Sequence, residues 1–161
     1  MGRKLEVVLE KRGVRCVAEL LEQEAPRTCE VVWQALPQGG QAYHAKYASN
    51  EVYTLVPPFA DPEPGLENST ITPIPRDILY FYFPPGQVGI PDVADFASTS
   101  GVIDLAIFYG RNNFLFSPAT GPVPGNVFAT ITENFEAMAQ ACDNIWREGF
   151  VGERLVYRRL E

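Results

Sequence analysis

Residues 126–146 have the sequence NVFATITENFEAMAQACDNIW and contain the strongest local pattern in the chain. The second half of this stretch predicts an amphipathic helix, because its apolar residues recur at helical spacing. They are Phe135, Met138, Ala139, Cys142, Ile145 and Trp146. Thr130 and Glu133 have the spacing of a capping box, and Gly149 predicts the end of the helix. The first half, 126–129, predicts a strand that leads into it.

Alternating apolar residues predict further strands on both sides of this segment. Leu5, Val7 and Leu9 alternate with mostly polar neighbours, and the alternation resumes over residues 14–20 after a turn at Lys11-Arg12-Gly13. Further strands are predicted at 43–56, 77–83, 102–109, 114–116 and 154–160. A second helix is predicted between Pro26, which suits a first helical turn, and Pro37.

The prolines divide the chain into strands and loops. Twelve of the 14 prolines fall in three segments, 57–75, 84–101 and 117–125, and the predicted strands contain none. Proline interrupts ladder hydrogen bonding, so this distribution favours short strands joined by long loops. We therefore predict a single mostly-β domain over residues 1–161, a closed barrel of about eight strands whose ends are covered by two α-helices.

The charge distribution disfavours a polyanionic partner. Between Tyr47 and Trp146 two arginines stand against eleven acidic residues, so this segment carries a net charge of −9, and the whole chain carries −7. Such a surface repels phosphate groups, which argues against binding to nucleic acid or to anionic membranes. No signal peptide or membrane-spanning run is recognisable, and we expect a cytoplasmic protein.

No cofactor or metal site is predicted. The three cysteines, Cys16, Cys29 and Cys142, lie far apart and predict buried free thiols rather than zinc ligands. No phosphate-binding loop, nucleophile elbow or dinucleotide motif is present. Asp92, Asp95 and Asp104 do not fit a cation-binding loop, and we predict that they are solvated loop residues.

Two segments resemble cyclophilins. Ala25-Pro26-Arg27-Thr28 matches the start of the first cyclophilin helix, and NVFATITENFEAMAQACDNI (126–145) resembles the strand and helix near the end of that family. Three further matches resemble small bacterial cyclophilin-like proteins of unknown function. They are Asn50-Glu51-Val52-Tyr53, Arg76-Asp77-Ile78-Leu79-Tyr80 with Pro84-Pro85-Gly86, and Ile107-Phe108-Tyr109-Gly110-Arg111. The resemblance implies a cyclophilin-like fold.

The same resemblance does not imply prolyl isomerase activity. Cyclophilins place an arginine against the prolyl amide in a Phe-His-Arg motif. The nearest match is Tyr43-His44-Ala45, in which alanine replaces that arginine. The Gln-Gly-Gly-Asp-Phe motif of the family is absent as well. We therefore expect negligible isomerase activity, although a fold can persist without it.

Five polar residues form the predicted ligand-binding site: His44, Glu51, Tyr53, Arg111 and Asn112. Glu51 and Tyr53 are two residues apart on a strand and share one face. Arg111 and Asn112 follow an apolar strand, at a strand end where barrel pockets commonly form, and Arg111 is a candidate partner for a carboxylate or for Glu51. The alternatives are surface residues on one strand and an ordinary Asn-Gly turn on the other.

His44 is the only histidine and a candidate general base. It lies an odd number of positions from Glu51, so without a bulge it faces the opposite side of the sheet. It is therefore the least secure of the five predicted site residues.

Three functions remain open from the sequence. The first is binding, or transformation, of a small polar metabolite at a barrel mouth. The second is a prolyl isomerase or peptide-binding module, and the third is a structural or assembly protein without chemistry. A homodimer or higher homo-oligomer is also expected, because residues 78–83 are apolar on both strand faces.

Overall fold

The computed structural model describes residues 2–47 and 49–161. Within them the chain forms twelve strands, three α-helices and one 3-10 helix. The strands are β1 (Lys4–Leu9), β2 (Val14–Leu20), β3 (Gln38–Gln41), β4 (Tyr43–His44), β5 (Glu51–Val56), β6 (Ser69–Thr70), β7 (Asp77–Phe83), β8 (Val102–Phe108), β9 (Phe116–Ser117), β10 (Gly121–Pro122), β11 (Gly125–Glu133) and β12 (Arg154–Leu160). The helices are α1 (Pro26–Ala35), α2 (Ala94–Ala97) and α3 (Phe135–Glu148), with the 3-10 helix at Pro91–Val93.

Ten strands form one sheet whose pairings are all antiparallel. Its order is β3-β12-β1-β2-β11-β7-β8-β5-β4, and β6 pairs with β11 beside this path. Strands β9 and β10 form a separate two-stranded ribbon. The mostly-β class predicted from the sequence is therefore confirmed.

The closed barrel of about eight strands is not confirmed. The hydrogen-bonded path ends at β3 on one side and at β4 on the other, and no ladder joins these two ends within the described residues. The sheet nevertheless curls until β3 approaches β5, where a Cβ on Gly40 would lie 3.0 Å from Thr54 Oγ1. Gly40 permits this close approach because it has no side chain, and Gly39 permits an equally close contact with Leu155 and Val156 of β12.

The main core lies on the concave face of the curled sheet. Val52 and Val56 of β5 and Ile103, Leu105 and Ile107 of β8 point into it. Both long helices contribute their apolar stripes, Cys29 and Val32 from α1 and Met138, Cys142 and Ile145 from α3. All three cysteines are free and buried, as predicted.

The opposite face of β5, β8 and β7 is also covered. It carries Leu79, Phe81, Ala106 and Phe108 in one apolar cluster with Leu115, while Leu55 packs in another with Val93 and Ala97. The two-sided apolar pattern of residues 78–83 is thus explained by packing within one chain: Ile78 and Tyr80 enter the main core, and Leu79 and Phe81 enter the second cluster. Self-association stays a prediction, and the apolar pattern of residues 78–83 no longer supports it.

Several local boundaries differ from the predictions. Strand β11 continues to Glu133, so Thr130 and Glu133 do not form a capping box, and Asn134 precedes α3 in the left-handed conformation at φ 61°. The predicted strand 43–56 is interrupted between β4 and β5, and Ala48 of the interruption lies outside the described residues. The segment 84–101, predicted as loop, contains the 3-10 helix and α2.

No helix in the described part of the chain is long and apolar enough to span a membrane.

Candidate functional site

A cavity of about 570 Å³ opens on the convex face of β5, β8 and β7, opposite the main core. This volume falls within the usual range for small-molecule sites, about 300–1,000 Å³. Its walls come from these strands, from β4 and the turn after it, from segments 88–92 and 115–123, and from Phe150. The cavity is therefore built by one sheet face and the loops that cross it.

Strand register brings two carboxyl groups to this cavity. Glu51, Tyr53 and Leu55 alternate along β5 with residues that enter the main core, so they share the cavity face. In the neighbouring β8, Asp104 pairs with Leu55 on one side and with Phe81 of β7 on the other. Glu51 and Asp104 thus lie on adjacent strands of one face, four residue positions apart in the register.

Both carboxyl groups are almost completely withdrawn from water. Glu51 is 8% exposed and Asp104 is 6% exposed. Within the described residues neither carboxyl group has an ion-pair partner within 4.0 Å, and Asp104 Oδ1 is enclosed without any hydrogen-bond partner. Buried ionisable groups in native proteins are normally paired, so this arrangement is unusual.

Burial makes these groups weak acids. Desolvation raises the pKa of Glu51 from 4.5 to about 8. Desolvation, followed by the negative charge of Glu51, raises the pKa of Asp104 well above its ordinary value. Glu51 therefore changes protonation close to neutral pH. Strongly shifted carboxyl groups in a cavity are a mark of functional sites.

Aromatic rings form a large part of the remaining wall. The Tyr43 ring lies 5.6 Å from that of Tyr53 and 5.4 Å from that of Phe150, in an edge-on arrangement with the latter. Phe81 and Phe83 stack on each other with ring centroids 5.7 Å apart. Such a surface favours a flat apolar ligand, because rings pack well in offset and edge-to-face contacts.

Segment 88–92 covers one side of the cavity. Val88 and Ile90 pack beside Tyr43 and Leu55, and the Tyr43 hydroxyl donates a hydrogen bond of 3.2 Å to Asp92 Oδ2. Burial and the Asp92 charge raise the pKa of Tyr43 to about 12, so this phenol remains a donor at neutral pH. The bond ties the covering segment to the edge strand β4.

His44 makes its side-chain contacts away from the carboxyl pair. It pairs with Val52, whose side chain enters the main core, although His44 also borders the cavity. Its Nδ1 lies 2.8 Å from the Ala45 carbonyl oxygen, so Nδ1 carries a proton and Nε2 accepts the Tyr109 hydroxyl at 2.5 Å. Burial lowers the pKa of His44, which keeps the ring neutral and both nitrogens engaged.

Arg111 and Asn112 lie outside the cavity lining. Both are exposed in the turn after β8, and Asn112 adopts φ 64° there. Asn113 holds this turn instead: its Oδ1 accepts from Asn50 N at 2.8 Å, and its Nδ2 donates to the carbonyl oxygens of Pro73 and Gly110. No ion pair joins Arg111 to Glu51 within the described residues. The structure therefore brings together three of the five predicted residues.

Asp104 is the residue that the sequence interpretation missed. We predicted a solvated loop acid, whereas Asp104 lies in the middle of β8, a strand buried along its whole length. The available signal was its position inside VIDLAIFY, because an acid within a strand that is otherwise apolar needs a partner or a purpose. No set of three or more His, Cys, Asp or Glu suitable for a metal occurs among residues 2–47 and 49–161.

A family model matches residues 7–157. The chain belongs to the family of proteins of unknown function called DUF3830. A search of curated proteins gave no match. Among solved structures, McbB in complex with tryptophan superposes with a TM-score of 0.61 at 17% identity, over 96% of this chain and 44% of McbB. This DUF3830 chain thus spans less than half the length of McbB.

A hypothetical protein from Archaeoglobus fulgidus, AF2241, matches at 20% identity with a TM-score of 0.48, over 99% of the DUF3830 chain and 95% of its own. At these identities the McbB match shows a shared fold and nothing about activity. Neither match confirms the cyclophilin-like assignment, which rests on the short motifs alone.

Proposed function

We propose that this DUF3830 protein binds small molecules that combine a flat apolar body with a protonated amine. The observation that carries the proposal is a pair of buried carboxyl groups, Glu51 and Asp104, on the wall of a cavity rich in aromatic rings; within residues 2–47 and 49–161 neither forms an ion pair. An ammonium group supplies the missing positive charge and hydrogen-bond donors. The aromatic wall supplies apolar contact and, for a cation, attraction to the ring faces.

The charges around the cavity support a cationic rather than an anionic ligand. Three acidic side chains line it, Glu51, Asp92 and Asp104, against one lysine, Lys46, which is exposed. An anion would meet repulsion inside and would leave both buried carboxyl groups without partners. The sequence motifs favoured a polar metabolite held by Arg111, but that arginine lies outside the cavity lining.

McbB offers a probe for this proposal, since its structure was solved with tryptophan. Tryptophan joins an indole to a protonated amine, although its carboxylate would face the acidic wall here. Tryptamine keeps the indole and the amine and lacks the carboxylate. We therefore expect tryptamine to bind more tightly than tryptophan, and indole-3-propionate to bind least.

Isothermal titration calorimetry with tryptamine, 3-ethylindole and indole-3-propionate tests the proposal. We expect affinity to fall in that order, with at least about a tenfold difference between the amine and its neutral analogue. The double substitution Glu51→Gln with Asp104→Asn should abolish the preference for the amine and retain binding of 3-ethylindole. The matched control is Glu133→Gln with Asp95→Asn, which removes two exposed carboxyl groups outside the cavity. Equal affinities, or tighter binding of the anion, would reject the proposal.

The pH dependence of binding provides a second measurement. Glu51 must release its proton to pair with an ammonium group, so affinity should rise as pH increases toward its pKa of about 8. If one proton is released, tryptamine affinity rises about tenfold per pH unit below that value. The Glu51→Gln variant should lack this dependence between pH 5 and pH 8.

A further inference from the structure

The wall of the cavity contains a group suited to chemistry as well as binding. Glu51 borders the cavity while remaining 8% exposed, so its carboxylate, once formed, is poorly hydrated. A carboxylate stripped of water is a far stronger base toward a bound substrate than one in solution, because no water shell must be removed first. Asp104, by contrast, has one oxygen completely enclosed.

We propose that Glu51 is a general base that removes a proton from carbon or nitrogen on a flat apolar substrate held in this cavity. The inference rests on the proposed binding of such molecules, and it adds a reaction to that binding. Three observations support it: the Glu51 carboxyl lies on the cavity wall, the rings of Tyr43 and Tyr53 lie 5.6 Å apart on the same wall, and segment 88–92 covers one side of the cavity.

Several titratable groups share the cavity wall with Glu51. They are Asp104 from β8, Tyr53 from β5, Tyr43 from β4, Lys46 after β4 and Asp92 from the covering segment. Both tyrosines have raised pKa values and remain protonated near neutral pH, and the pKa of Asp104 is raised by burial and by the charge of Glu51. Since one oxygen of Asp104 is enclosed, we assign the base to Glu51, which gains a proton-accepting form near pH 8.

The base can be tested without knowledge of the natural substrate. 5-Nitrobenzisoxazole is flat and apolar, and it rearranges when a base removes the proton on the carbon of its isoxazole ring. The electrons of that C–H bond form the carbon–nitrogen triple bond, the nitrogen–oxygen bond breaks, and the oxygen leaves as a phenolate. Glu51 receives the proton and returns it to solvent. No oxidant, metal or second substrate is required.

We expect the wild-type protein to catalyse this rearrangement with saturation, and the rate to rise with pH through about 8, where Glu51 ionises. Glu51→Gln should lower the rate at least about a hundredfold, the usual contribution of a positioned general base. Glu133→Gln is the matched control, because it makes the same change at an exposed carboxyl group outside the cavity and should leave the rate unchanged. Asp104→Asn removes the other buried carboxyl group and should lower the rate less than Glu51→Gln does.

Binding and catalysis are measured separately. The nonreactive analogue 5-nitroindazole should bind Glu51→Gln and wild type equally, and circular dichroism should show that both variants are folded. If Glu51→Gln reacts like wild type, or if Asp104→Asn alone abolishes the reaction, the assignment of the base is wrong. If wild type binds tryptamine but shows no saturable rearrangement, the base proposal fails and the binding proposal stands. If the rearrangement is catalysed but amines bind no better than their neutral analogues, the binding proposal fails and the base proposal stands.

Discussion

Two regions of this protein bury carboxyl groups, and they differ in whether those groups have hydrogen-bond and ion-pair partners. Glu153, which immediately precedes β12, is completely buried and fully partnered. Its Oε1 accepts from the backbone N–H groups of Lys11 and Arg154 at 2.8 Å each, and its Oε2 accepts from Arg12 N at 3.1 Å and pairs with the Arg12 guanidinium at 3.2 Å. Glu51 and Asp104 are buried almost as deeply, yet no cation accompanies them within the described residues.

The difference shows that burial alone does not identify a functional acid. Glu153 replaces every lost water contact with a hydrogen bond and fixes the turn between β1 and β2, which is a structural task. The cavity carboxyl groups lack that compensation, so they raise the free energy of the folded state unless they stay protonated or a ligand neutralises them. Unpaired carboxyl groups that destabilise the fold and line a cavity are typical of functional sites.

The largest effect that tests this comparison is expected at Glu153. Glu153→Gln places an amide N–H₂ where backbone donors require an acceptor and removes the partner of Arg12. We expect the free energy of unfolding to fall by about 3–5 kcal/mol, measured by urea denaturation. Glu148→Gln is the control, because Glu148 pairs with the same Arg12 at 3.1 Å but is exposed, and it should cost less than about 1 kcal/mol. Equal effects of the two substitutions would contradict a special role for the buried partner.

Substitution of Glu51 is expected to increase the free energy of unfolding, whereas substitution of Glu153 decreases it. The folded protein keeps the Glu51 proton up to pH about 8, whereas the unfolded chain loses it near 4.5, so the folded state loses stability as pH rises between these values. Glu51→Gln removes this penalty and should stabilise the protein by about 1–3 kcal/mol at pH 8 and by almost nothing at pH 4.

Thermal unfolding of Glu51→Gln and wild type at a series of pH values measures this difference. Glu133→Gln, an exposed change of the same kind, should follow wild type throughout. A Glu51→Gln protein that is less stable than wild type at pH 8 would mean that Glu51 is a satisfied structural acid like Glu153.

The sequence predicts the strands much better than it predicts the proximity of Glu51 and Asp104. The predicted bounds of β2, β7 and β12 agree with the structure to the residue, and the alternation of Leu5, Val7 and Leu9 located β1. Alternation also placed Glu51 and Tyr53 on one face. It did not predict that β5 and β8 would be neighbours, since the pairing of strands separated by about fifty residues depends on the whole sheet. The sequence therefore did not predict that Asp104 and Glu51 line the same cavity.

The loops were harder to predict for a related reason. Segment 84–101 was identified from its prolines and glycines, but its packing onto Tyr43 and Leu55 depends on contacts that no local pattern contains. The same holds for the end of the sheet. Glycine pairs usually indicate a turn, and the close approach of Gly40 to β5 became visible only in three dimensions.

A smaller effect is expected from the hydrogen bond that fastens the covering segment. Tyr43→Phe removes the hydroxyl that donates to Asp92 and leaves the ring in place. We expect the melting temperature to fall by about 2–4 °C, the effect of losing one net hydrogen bond of about 1 kcal/mol in a domain of this size. Tyr47→Phe is the control, because that side chain is 60% exposed, and it should leave the melting temperature unchanged. Equal melting temperatures for Tyr43→Phe and wild type would show that the bond to Asp92 does not hold the segment.

The smallest effect is expected at Arg111, and it decides between the sequence-based site and the cavity. Arg111 was predicted as a ligand or Glu51 partner, yet it is exposed in a turn that Asn113 holds through Asn50, Pro73 and Gly110. If the cavity carboxyl groups act without a protein cation, Arg111→Ala leaves tryptamine affinity within about twofold of wild type at moderate salt, where exposed charges are screened. Asn113→Ala removes the bonds that hold the turn and should destabilise the protein. A tenfold change in affinity for Arg111→Ala would restore the arginine to the site, because the buried carboxyl groups would then be responding to a cation beyond the cavity wall.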